Sequence, residues 1–484
     1  MEKNIYEQYE VVIGLEAHLQ LSTKTKAFCA DSIAFGQAPN TQISSISLGH
    51  PGTLPKLNKE QVEYAIRLGL ALDCQISEKN YFDRKNYFYA DLPKGYQITQ
   101  DRMPVCIGGG VHFLVNSEKK YIRLHHIHME EDAGKSIHDQ NPNYSLIDLN
   151  RAGTPLLEIV SEPDFRSADE VAAFMNTIRQ LARYLNISDG NMEEGSLRCD
   201  CNISVRKKGA TEYGERCEVK NMNSMRFAKR AIEYEFKRQI DILENGGKIT
   251  RQTLNFDPST GITSPLRDKE DANDYRYFPE PDLPPVVITK ARIEEVRASL
   301  PPLPKVLFDK FVEEYGLSTQ DAYTLTEEKE MALYFIDFSK NTSNKKAAAN
   351  LLINKIRPYL NEQRIDIQDF KVPFEKLSTF ISIIEEGKVS NAIAYQRIFP
   401  ELVKNGDETA LQIAERLNLL QNNDDDFLEK ICREVIAQYP DKVTEYKKGK
   451  KGLIAFFMGE VMKKSKGKAE PKSSTALLTQ LLAV

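Results

Sequence analysis

The chain has 484 residues, of which 28% are charged and 41% hydrophobic, with a formal net charge of −5. One compact core rarely extends over so long a chain, so we expect two or three domains. No apolar run approaches the roughly 20 residues that a membrane-spanning helix needs, which excludes an integral membrane protein. The N-terminus lacks a secretory signal, and seven scattered cysteines indicate a reducing compartment. We expect a soluble, cytoplasmic protein.

The first predicted strand carries a carboxylate and an imidazole on one face. Apolar and polar residues alternate from 11 to 21, so Glu16 and His18 should lie side by side on the polar face. The same alternation also fits the solvated face of an edge strand. Taken alone, this strand does not establish a site.

Two further segments supply acidic partners for this pair. Residues 126–132 place acids and histidines so close together that a cation, a ligand or hydration must compensate their repulsion. Glu158 lies in an apolar run, where an unpaired carboxylate is costly to bury. Hard oxygen ligands with an imidazole suit Mg²⁺ or Mn²⁺, although separate salt bridges are an alternative. The predicted metal ligands are Glu16, His18, Glu130, Glu131 and Glu158.

Positive charge is predicted beside these carboxylates. Arg198 alternates with apolar residues in a second strand, Lys220 lies in the next strand-like piece, and Lys85 precedes aromatic residues. Phosphoryl transfer needs such cations, because charge on the moving phosphoryl group must be neutralised from several sides. A solvated, inert sheet face would explain any one strand equally well. The predicted catalytic residues are Glu16, His18, Glu131, Glu158, Arg198 and Lys220.

The nucleotide is not expected in a phosphate-binding P-loop. Gly134-Lys135-Ser136 has the ending of that motif, but Met129 stands where its first glycine belongs. We therefore predict a nucleotide bound with metal in a sheet-lined cradle. The predicted nucleotide-binding residues are Lys85, Tyr87, Ser196, Arg198, Asp200 and Asn202.

Proline-rich junctions and the hydrophobic periodicity of the segments between them predict an α+β organisation. A mainly antiparallel sheet with flanking helices is expected up to residue 292, followed by helices from 293 to 405 and a small helical tail from 406 to 484. Seven prolines between residues 278 and 304 mark the first junction. Residues 442–472 of the tail carry ten lysines against three glutamates, a pattern typical either of phosphate contacts or of a solvated helical surface.

Seven motifs in this order resemble GatB, one of the subunits of the tRNA-dependent aspartyl/glutamyl amidotransferases. The resemblance extends nearly from end to end, and the lysine-rich tail resembles that family's small, YqeY-like tRNA-contacting domain. The motifs are VIGLEAH (12–18), RKNYFY (84–89), DLPKGYQ (91–97), MEEDAGK (129–135), EIVSEPD (158–164), EEGSLRCD (193–200) and DYRYFPEPDLPP (274–285).

The resemblance implies an RNA-dependent ligase component that is inactive alone. ATP with Mg²⁺ or Mn²⁺ would activate the side-chain carboxylate of Glu-tRNA(Gln) or Asp-tRNA(Asn), and ammonia from glutamine would then form the amide. The implied partners in a heterotrimer are an amidase subunit, which supplies the ammonia, and a small third subunit. Which mischarged tRNA is the working substrate stays open. A non-catalytic tRNA-binding scaffold and a metal-dependent hydrolase are the alternatives.

One loop departs from the family pattern. Some relatives hold a structural zinc with four cysteines at positions where this chain has Cys29, Asp31, Ser44 and Ser47. A serine hydroxyl is a poor zinc ligand beside a thiolate. We therefore expect no structural zinc in this loop.

Overall fold

A computed structural model describes residues 5–138, 143–220, 222, 224–268, 275–404, 407–421, 425–465 and 468–483. The chain divides into two compact units, Met1–Leu307 and Phe308–Val484. The boundaries predicted after residues 292 and 405 stay predictions, and residues 405 and 406 lie outside the described ranges. Asp274 of the last motif and Lys466 of the tail lie outside them as well.

The first unit combines strands with a few helices. The helices are α1 (Lys59–Ala71), α2 (Ala168–Tyr184), α3 (Met225–Glu244) and α4 (Lys290–Ser299). The strands are β1 (Tyr9–Gln20), β2 (Gln75–Ile76), β3 (Lys79–Asn80), β4 (Asp83–Asn86), β5 (Tyr96–Thr99), β6 (Cys106–Ile107), β7 (Gly110–Val115), β8 (Glu118–Glu131), β9 (Lys135–Ile137), β10 (Leu146–Asp148), β11 (Pro155–Ser161), β12 (Leu197–Lys207), β13 (Cys217–Lys220), β14 (Gln252–Asp257), β15 (Ile262–Asp268), β16 (Phe278–Pro279) and β17 (Val286–Val287).

One large sheet organises this unit. Its strand order is β15-β14-β13-β12-β1-β11-β8-β6-β2, with β7 paired to β8, and every pairing is antiparallel except that of β13 with β14. The central strand β1 lies between β11 and β12, so it is not the edge strand that a solvated face would suggest. A separate three-stranded sheet has the order β16-β4-β5.

The alternating pattern of β1 fixes which face becomes the core. Its apolar side chains, such as Leu15 and Leu19, are buried in the same hydrophobic core as Phe174 and Ile178 of α2. A slip of one residue would move this apolar set to the other face, so burial specifies the register. The polar face of the sheet is thereby set opposite the helices.

Serine side chains cap the N-termini of α2 and α3. The Ser167 and Ser224 hydroxyls accept hydrogen bonds from the first turns of α2 and α3. The Glu170 side chain accepts from the backbone of Arg166 at 2.6 Å, so it caps a residue earlier than a reciprocal capping box requires. The helix α3 ends at Glu244 before Gly246, which has a φ of 78°.

The second unit is helical, as the sequence predicts. Its four C-terminal helices share a small hydrophobic core that includes Cys432 and Phe457. Helix α5 (Pro304–Glu313) includes the last residues of the first unit and the first of the second. The later helices are α6 (Thr319–Thr326), α7 (Lys329–Ser339), α8 (Lys345–Leu351), α9 (Arg357–Gln363), α10 (Phe374–Glu385), α11 (Asn391–Ile393), α12 (Phe399–Lys404), α13 (Ala410–Arg416), α14 (Asp425–Gln438), α15 (Pro440–Lys447), α16 (Ile454–Lys464) and α17 (Pro471–Ala483).

These elements confirm the predicted α+β class, with a mixed sheet first and helices after it. All seven cysteines are free thiols. Within the described ranges, no helix has both the length and the apolar character to cross a lipid bilayer.

Candidate functional site

The polar face of the central strands brings distant parts of the sequence together. The register places His18 of β1 opposite Glu158 of β11 on one side and opposite Arg198 of β12 on the other. Glu158 is itself opposite His128 of β8. A row of four charged or titratable side chains therefore crosses four neighbouring strands, because residues at one register position share a face.

Two imidazoles compensate the carboxylate of Glu158. Its Oε2 atom lies 3.3 Å from Nε2 of His18 and 3.4 Å from Nε2 of His128. The same His128 nitrogen lies 3.6 Å from Oε2 of Glu130, which also accepts a hydrogen bond from the Thr99 hydroxyl at 3.3 Å. The charge that a carboxylate in an apolar run requires is thus supplied from both neighbouring strands.

These contacts shift the pKa values strongly. Burial would lower the pKa of His18, but the carboxylates of Glu158, Asp200 and Glu130 raise it to about 9. Burial would also lower the pKa of His128, but Glu158 and Glu130 raise it to about 10. Burial would raise the pKa of Glu158, yet both imidazoles hold it well below its ordinary value. Both histidines are therefore imidazolium ions at neutral pH when no metal competes for them.

A second acidic group lies beside this row. One side-chain oxygen each of Glu16, Asp200 and Glu218 lies within 4.8 Å of the others. Lys220 donates to Asp200 at 2.6 Å and lies 2.9 Å from Glu218, and Asn202 donates to Glu16 at 3.0 Å. This group already contains a cation, the ammonium of Lys220.

The group formed by His18, Glu130 and Glu158 fits a divalent cation better. It offers one imidazole nitrogen and two carboxylate oxygens within 4.8 Å of one another, a donor set that suits Mg²⁺ or Mn²⁺. The environment of Glu16 independently indicates a bound divalent cation. Burial and the nearby charges of Glu158, Asp200 and Glu218 raise its pKa. A divalent cation at the row would relieve this repulsion.

Glu131 is not brought into either acidic group. Because side chains alternate along β8, it points away from Glu130 to the opposite face. There it pairs with Lys94 and accepts a hydrogen bond from the backbone of Ile98 at 3.0 Å. Its carboxylate is thus engaged away from the other predicted metal ligands and is not placed to bind the same cation.

Arg198 is held by a buried aspartate. Its guanidinium donates to Asp132 at 2.7 Å, and Gln20 donates to the same oxygen at 2.6 Å. Burial opposes the change, but Arg198 and Arg151 lower the pKa of Asp132. Asp132 therefore stays ionised and fixes the guanidinium at the end of the His18 row.

The remaining predicted nucleotide-binding residues lie at two edges of the site. Ser196 directly precedes β12, and its carbonyl accepts a hydrogen bond from Gln20 at 2.8 Å. Lys85 of β4 lies 5.0 Å from the ring centre of Tyr275. Burial would lower the pKa of Lys85, but charges that include Glu130 raise it. Tyr87 donates to Gln97 at 3.4 Å, and burial raises its pKa.

Sequence reasoning did not select His128, Asp132 and Glu218 as site residues. A period of two within 126–130 places His128 on the face of Glu130, so that signal was present in the sequence. Glu218 shares a face with Lys220 for the same reason. No local signal shows that Asp132 meets Arg198, because they are 66 residues apart.

Cys29, Asp31, Ser44 and Ser47, which stand where some relatives have zinc-binding cysteines, lie together in one cluster. Ser47 donates to Asp31, and its hydroxyl lies 3.4 Å from the thiol of Cys29. Burial opposes the change, but the neighbouring side chains of Ser47, Cys29 and Ser44 and the charge of Lys26 lower the pKa of Asp31. Burial raises the pKa of Cys29, which keeps it a thiol. The donor set is a poor match for zinc.

Raising the pH should destabilise the metal-free protein through the histidine row. The folded-state pKa values of His18 and His128, about 9 and about 10, exceed the ordinary histidine value near 6.5. The two imidazolium ions therefore contribute their full stabilisation of the folded state below about pH 6.5. It is lost as pH rises through about 9 and 10. Thermal unfolding with a chelator, at about pH 7 and about pH 10, measures the loss. Glu158→Gln should flatten this dependence; an equal slope in both proteins would contradict the assignment.

Comparison with known proteins adds independent findings. The chain matches the GatB/GatE catalytic domain family over residues 11–294 and the GatB domain family over residues 333–482. Three similar proteins are each named as the B subunit of an aspartyl/glutamyl-tRNA(Asn/Gln) amidotransferase. The protein of Thermodesulfovibrio yellowstonii is 46% identical over 98% of this chain and 99% of its own length. Those of Geotalea daltonii and Persephonella marina are 48% and 47% identical over 98% of this chain and 99% and 100% of their own.

Proposed function

Because the chain belongs to the GatB/GatE family, we propose that its cradle activates the side-chain carboxylate of a mischarged tRNA with ATP and then converts it to an amide. The chain is one component of a glutamine-hydrolysing amidotransferase, a ligase of translation. The proposed substrates are Glu-tRNA(Gln), Asp-tRNA(Asn) or both, as the relatives' names include both amino acids. The observation that carries the proposal is the row of His18, Glu158 and Arg198 across three strands.

Two balanced steps make up the proposed reaction. In the first, a carboxylate oxygen of the aminoacyl group attacks the γ-phosphorus of ATP, and the bond to the β-phosphate oxygen breaks, leaving ADP. In the second, ammonia attacks the acyl carbon, a carbon–nitrogen bond forms, and phosphate departs and takes up the proton that nitrogen loses. Phosphorylation is needed because a carboxylate oxygen is a poor leaving group and phosphate a good one.

The chain's own residues divide the work in this scheme. His18, Glu130 and Glu158, with Glu16 beside them, would hold Mg²⁺ or Mn²⁺, which when bound neutralises phosphate charge. Arg198 faces the same space and contributes a fixed positive charge toward the moving phosphoryl group. Asp132 orients Arg198 by the 2.7 Å hydrogen bond.

The acidic group beside the row has a positioning role. Lys220 is held between Asp200 and Glu218 at 2.6 and 2.9 Å, which fixes its ammonium at the edge of the cradle. Asn202 holds the Glu16 carboxylate in place by a hydrogen bond. We assign Lys85 and Tyr87, on the other edge, to the nucleotide. We also assign Ser196 to the nucleotide, because it directly precedes β12.

Partner proteins complete the activity. The relatives are named as one subunit of an amidotransferase, which denotes part of a larger assembly. We propose that an amidase subunit supplies ammonia from glutamine and that a small third subunit joins the complex. A closed path for ammonia would shield it and the acyl phosphate from water.

Two other functions are less well supported. A scaffold that only binds tRNA has no need for a guanidinium beside a histidine–carboxylate row. A simple metal-dependent hydrolase does not require Lys220 and Arg198 on the same sheet face, or a lysine-rich tail. The reconstituted heterotrimeric complex, given labelled ATP and each mischarged tRNA, tests the proposal through phosphate release and amide formation. ATP cleavage without amide, or neither product with either tRNA, would contradict it.

The cluster of Cys29, Asp31, Ser44 and Ser47 leads to a separate prediction about zinc content. The purified chain should contain far less than one zinc per molecule, and prolonged treatment with a zinc-selective chelator should leave its unfolding temperature unchanged. The reason is that Asp31, Ser44 and Ser47 replace three thiolates, and Ser47 donates a hydrogen bond to Asp31 instead. Elemental analysis measures the metal content. As a positive control, Asp31→Cys/Ser44→Cys/Ser47→Cys should acquire zinc; stoichiometric zinc in the unaltered chain would contradict the prediction.

A further inference from the structure

Three histidines of β8 form a hydrogen-bonded line from the surface into the site, and none of them is a proposed metal ligand. We call His125, His126 and His128 the histidine line. Nε2 of His126 lies 3.0 Å from Nδ1 of His128, and Nδ1 of His126 lies 2.7 Å from Nδ1 of His125. His125 is exposed, His126 is half-buried and His128 is only 8% exposed. The line therefore connects solvent with a buried imidazole beside the metal-binding carboxylates.

An irregularity in β8 makes this line possible. Neighbouring residues of a regular strand point to opposite faces, so the side chains of His125 and His126 would ordinarily lie apart. Two successive residues of β11, Val160 and Ser161, lie opposite two residues of β8 that are not successive. These are His126 and Leu124, so His125 is the extra residue of a β-bulge. Bulges re-aim side chains and are frequent next to active sites.

The inner end of the line contacts two proposed metal ligands at once. Nε2 of His128 lies 3.4 Å from Oε2 of Glu158 and 3.6 Å from Oε2 of Glu130. An ionised carboxylate only accepts hydrogen bonds, so the hydrogen on Nε2 has to point between the two oxygens. Rotation of the ring would move this hydrogen away from both carboxylates. Their positions therefore depend on what holds the His128 ring.

His126 holds that ring in two ways. The rings of His126 and His128 are stacked, with centres 5.1 Å apart and an interplanar angle of 22°, which restricts tilting. The contact between Nε2 and Nδ1 at 3.0 Å restricts rotation within the plane. Burial and the neighbouring charges of His128 and His125 lower the pKa of His126 to about 4, so it is neutral at neutral pH. A neutral imidazole has one donor and one acceptor nitrogen, so it can bond to both neighbours at once.

We propose that His126 is a positioning residue for the metal site, because it orients the ring of His128. The oriented Nε2 atom in turn holds the carboxylates of Glu130 and Glu158 in place for the cation. The inference rests on the proposed function, since it concerns the divalent cation proposed there. Groups that hydrogen-bond to metal ligands orient them, and their loss typically weakens metal binding about 10–100-fold. His125 contributes less, because it is exposed and water can replace its hydrogen bond.

Manganese titration of the reconstituted complex tests this inference without depending on turnover. Free Mn²⁺ is followed by electron paramagnetic resonance, and the Mn²⁺ that Glu158→Gln fails to bind defines the site at the row. The amide of a glutamine lies about as far from the backbone as Nε2 of a histidine, and that of an asparagine about as far as Nδ1. His126→Gln therefore keeps a partner for His128 and should bind Mn²⁺ nearly as the unaltered complex does. His126→Asn keeps only the contact with His125 and should bind it about 10-fold more weakly.

A matched control and a kinetic measurement separate positioning from a general defect. His112→Asn changes an exposed histidine on β7, whose ring lies 4.5 Å from that of Tyr121, and should leave Mn²⁺ affinity unchanged. His126→Asn should raise the Mn²⁺ concentration needed for half-maximal ATP cleavage, while kcat at saturating Mn²⁺ changes much less. A loss of kcat that excess Mn²⁺ does not restore would indicate damage to the fold and would overturn the inference.

The order of the affinities decides the matter. Unchanged Mn²⁺ affinity in His126→Asn, or equal losses in His126→Asn and His126→Gln, would overturn the inference. Failure of the unaltered complex to bind Mn²⁺ at the row would contradict the proposed metal site and this inference with it. Absence of tRNA-dependent ATP cleavage by the unaltered complex, with the expected order of Mn²⁺ affinities, would contradict the proposed function only.

Discussion

Glu158→Gln is expected to lower tRNA-dependent ATP cleavage by the reconstituted complex about 10²–10³-fold, the cost typical of removing one aligned electrostatic group. The substitution keeps the side chain's volume but removes the charge that faces His18 and His128 at 3.3 and 3.4 Å. Losing one hard ligand weakens metal binding and misplaces the phosphates. Glutamine hydrolysis by the partner amidase should persist at its basal level.

Two controls make this result specific. Glu118→Gln removes a carboxylate that is 74% exposed at the start of β8 and should leave ATP cleavage unchanged. Glu16→Gln should reproduce the loss, because Glu16 lies beside the same row, close enough for the charge of Glu158 to help raise its pKa. Unchanged ATP cleavage in both Glu158→Gln and Glu16→Gln would show that the carboxylates are structural and that the metal assignment is wrong.

Removal of the lysine-rich tail should raise the KM for mischarged tRNA and flatten its dependence on salt, with a much smaller fall in kcat. Each lost phosphate contact removes roughly one unit of slope against the logarithm of salt concentration. The natural cut precedes α14, because α13 packs against α10 and α12, whereas α14 to α17 have their own small core. Both constants are measured at two salt concentrations for the full-length and truncated complexes.

Charge substitution provides the matched control for the truncation. Lys447 and Lys448 are exposed at the end of α15, so replacing both with Gln should remove about two units of slope without removing any helix. Lys340→Gln/Lys388→Gln removes the same charge from exposed positions outside the tail and should leave the slope unchanged. A large loss of kcat with constant KM and slope would show that the tail serves chemistry or assembly instead.

The sequence by itself determined the fold class and the family, and it supplied most of the candidate site residues. Alternation in β1 placed Glu16 and His18 on one face, because side chains of a strand alternate and burial of the apolar set fixes which face is polar. Such local constraints act within a few residues and so appear in the sequence directly.

Only the tertiary structure decided which charges meet. Strand order put His18 between Glu158 and Arg198, although these residues lie 140 and 180 positions further along the chain. It also turned Glu131 away from the row, gave Lys220 to Asp200, and brought Tyr275 against a hairpin near position 87. Charge compensation depends on distances of a few ångströms, and those distances are set by strand pairing rather than by spacing along the sequence. For that reason the ligand set could be proposed from residue types but divided into its two groups only by the folded chain.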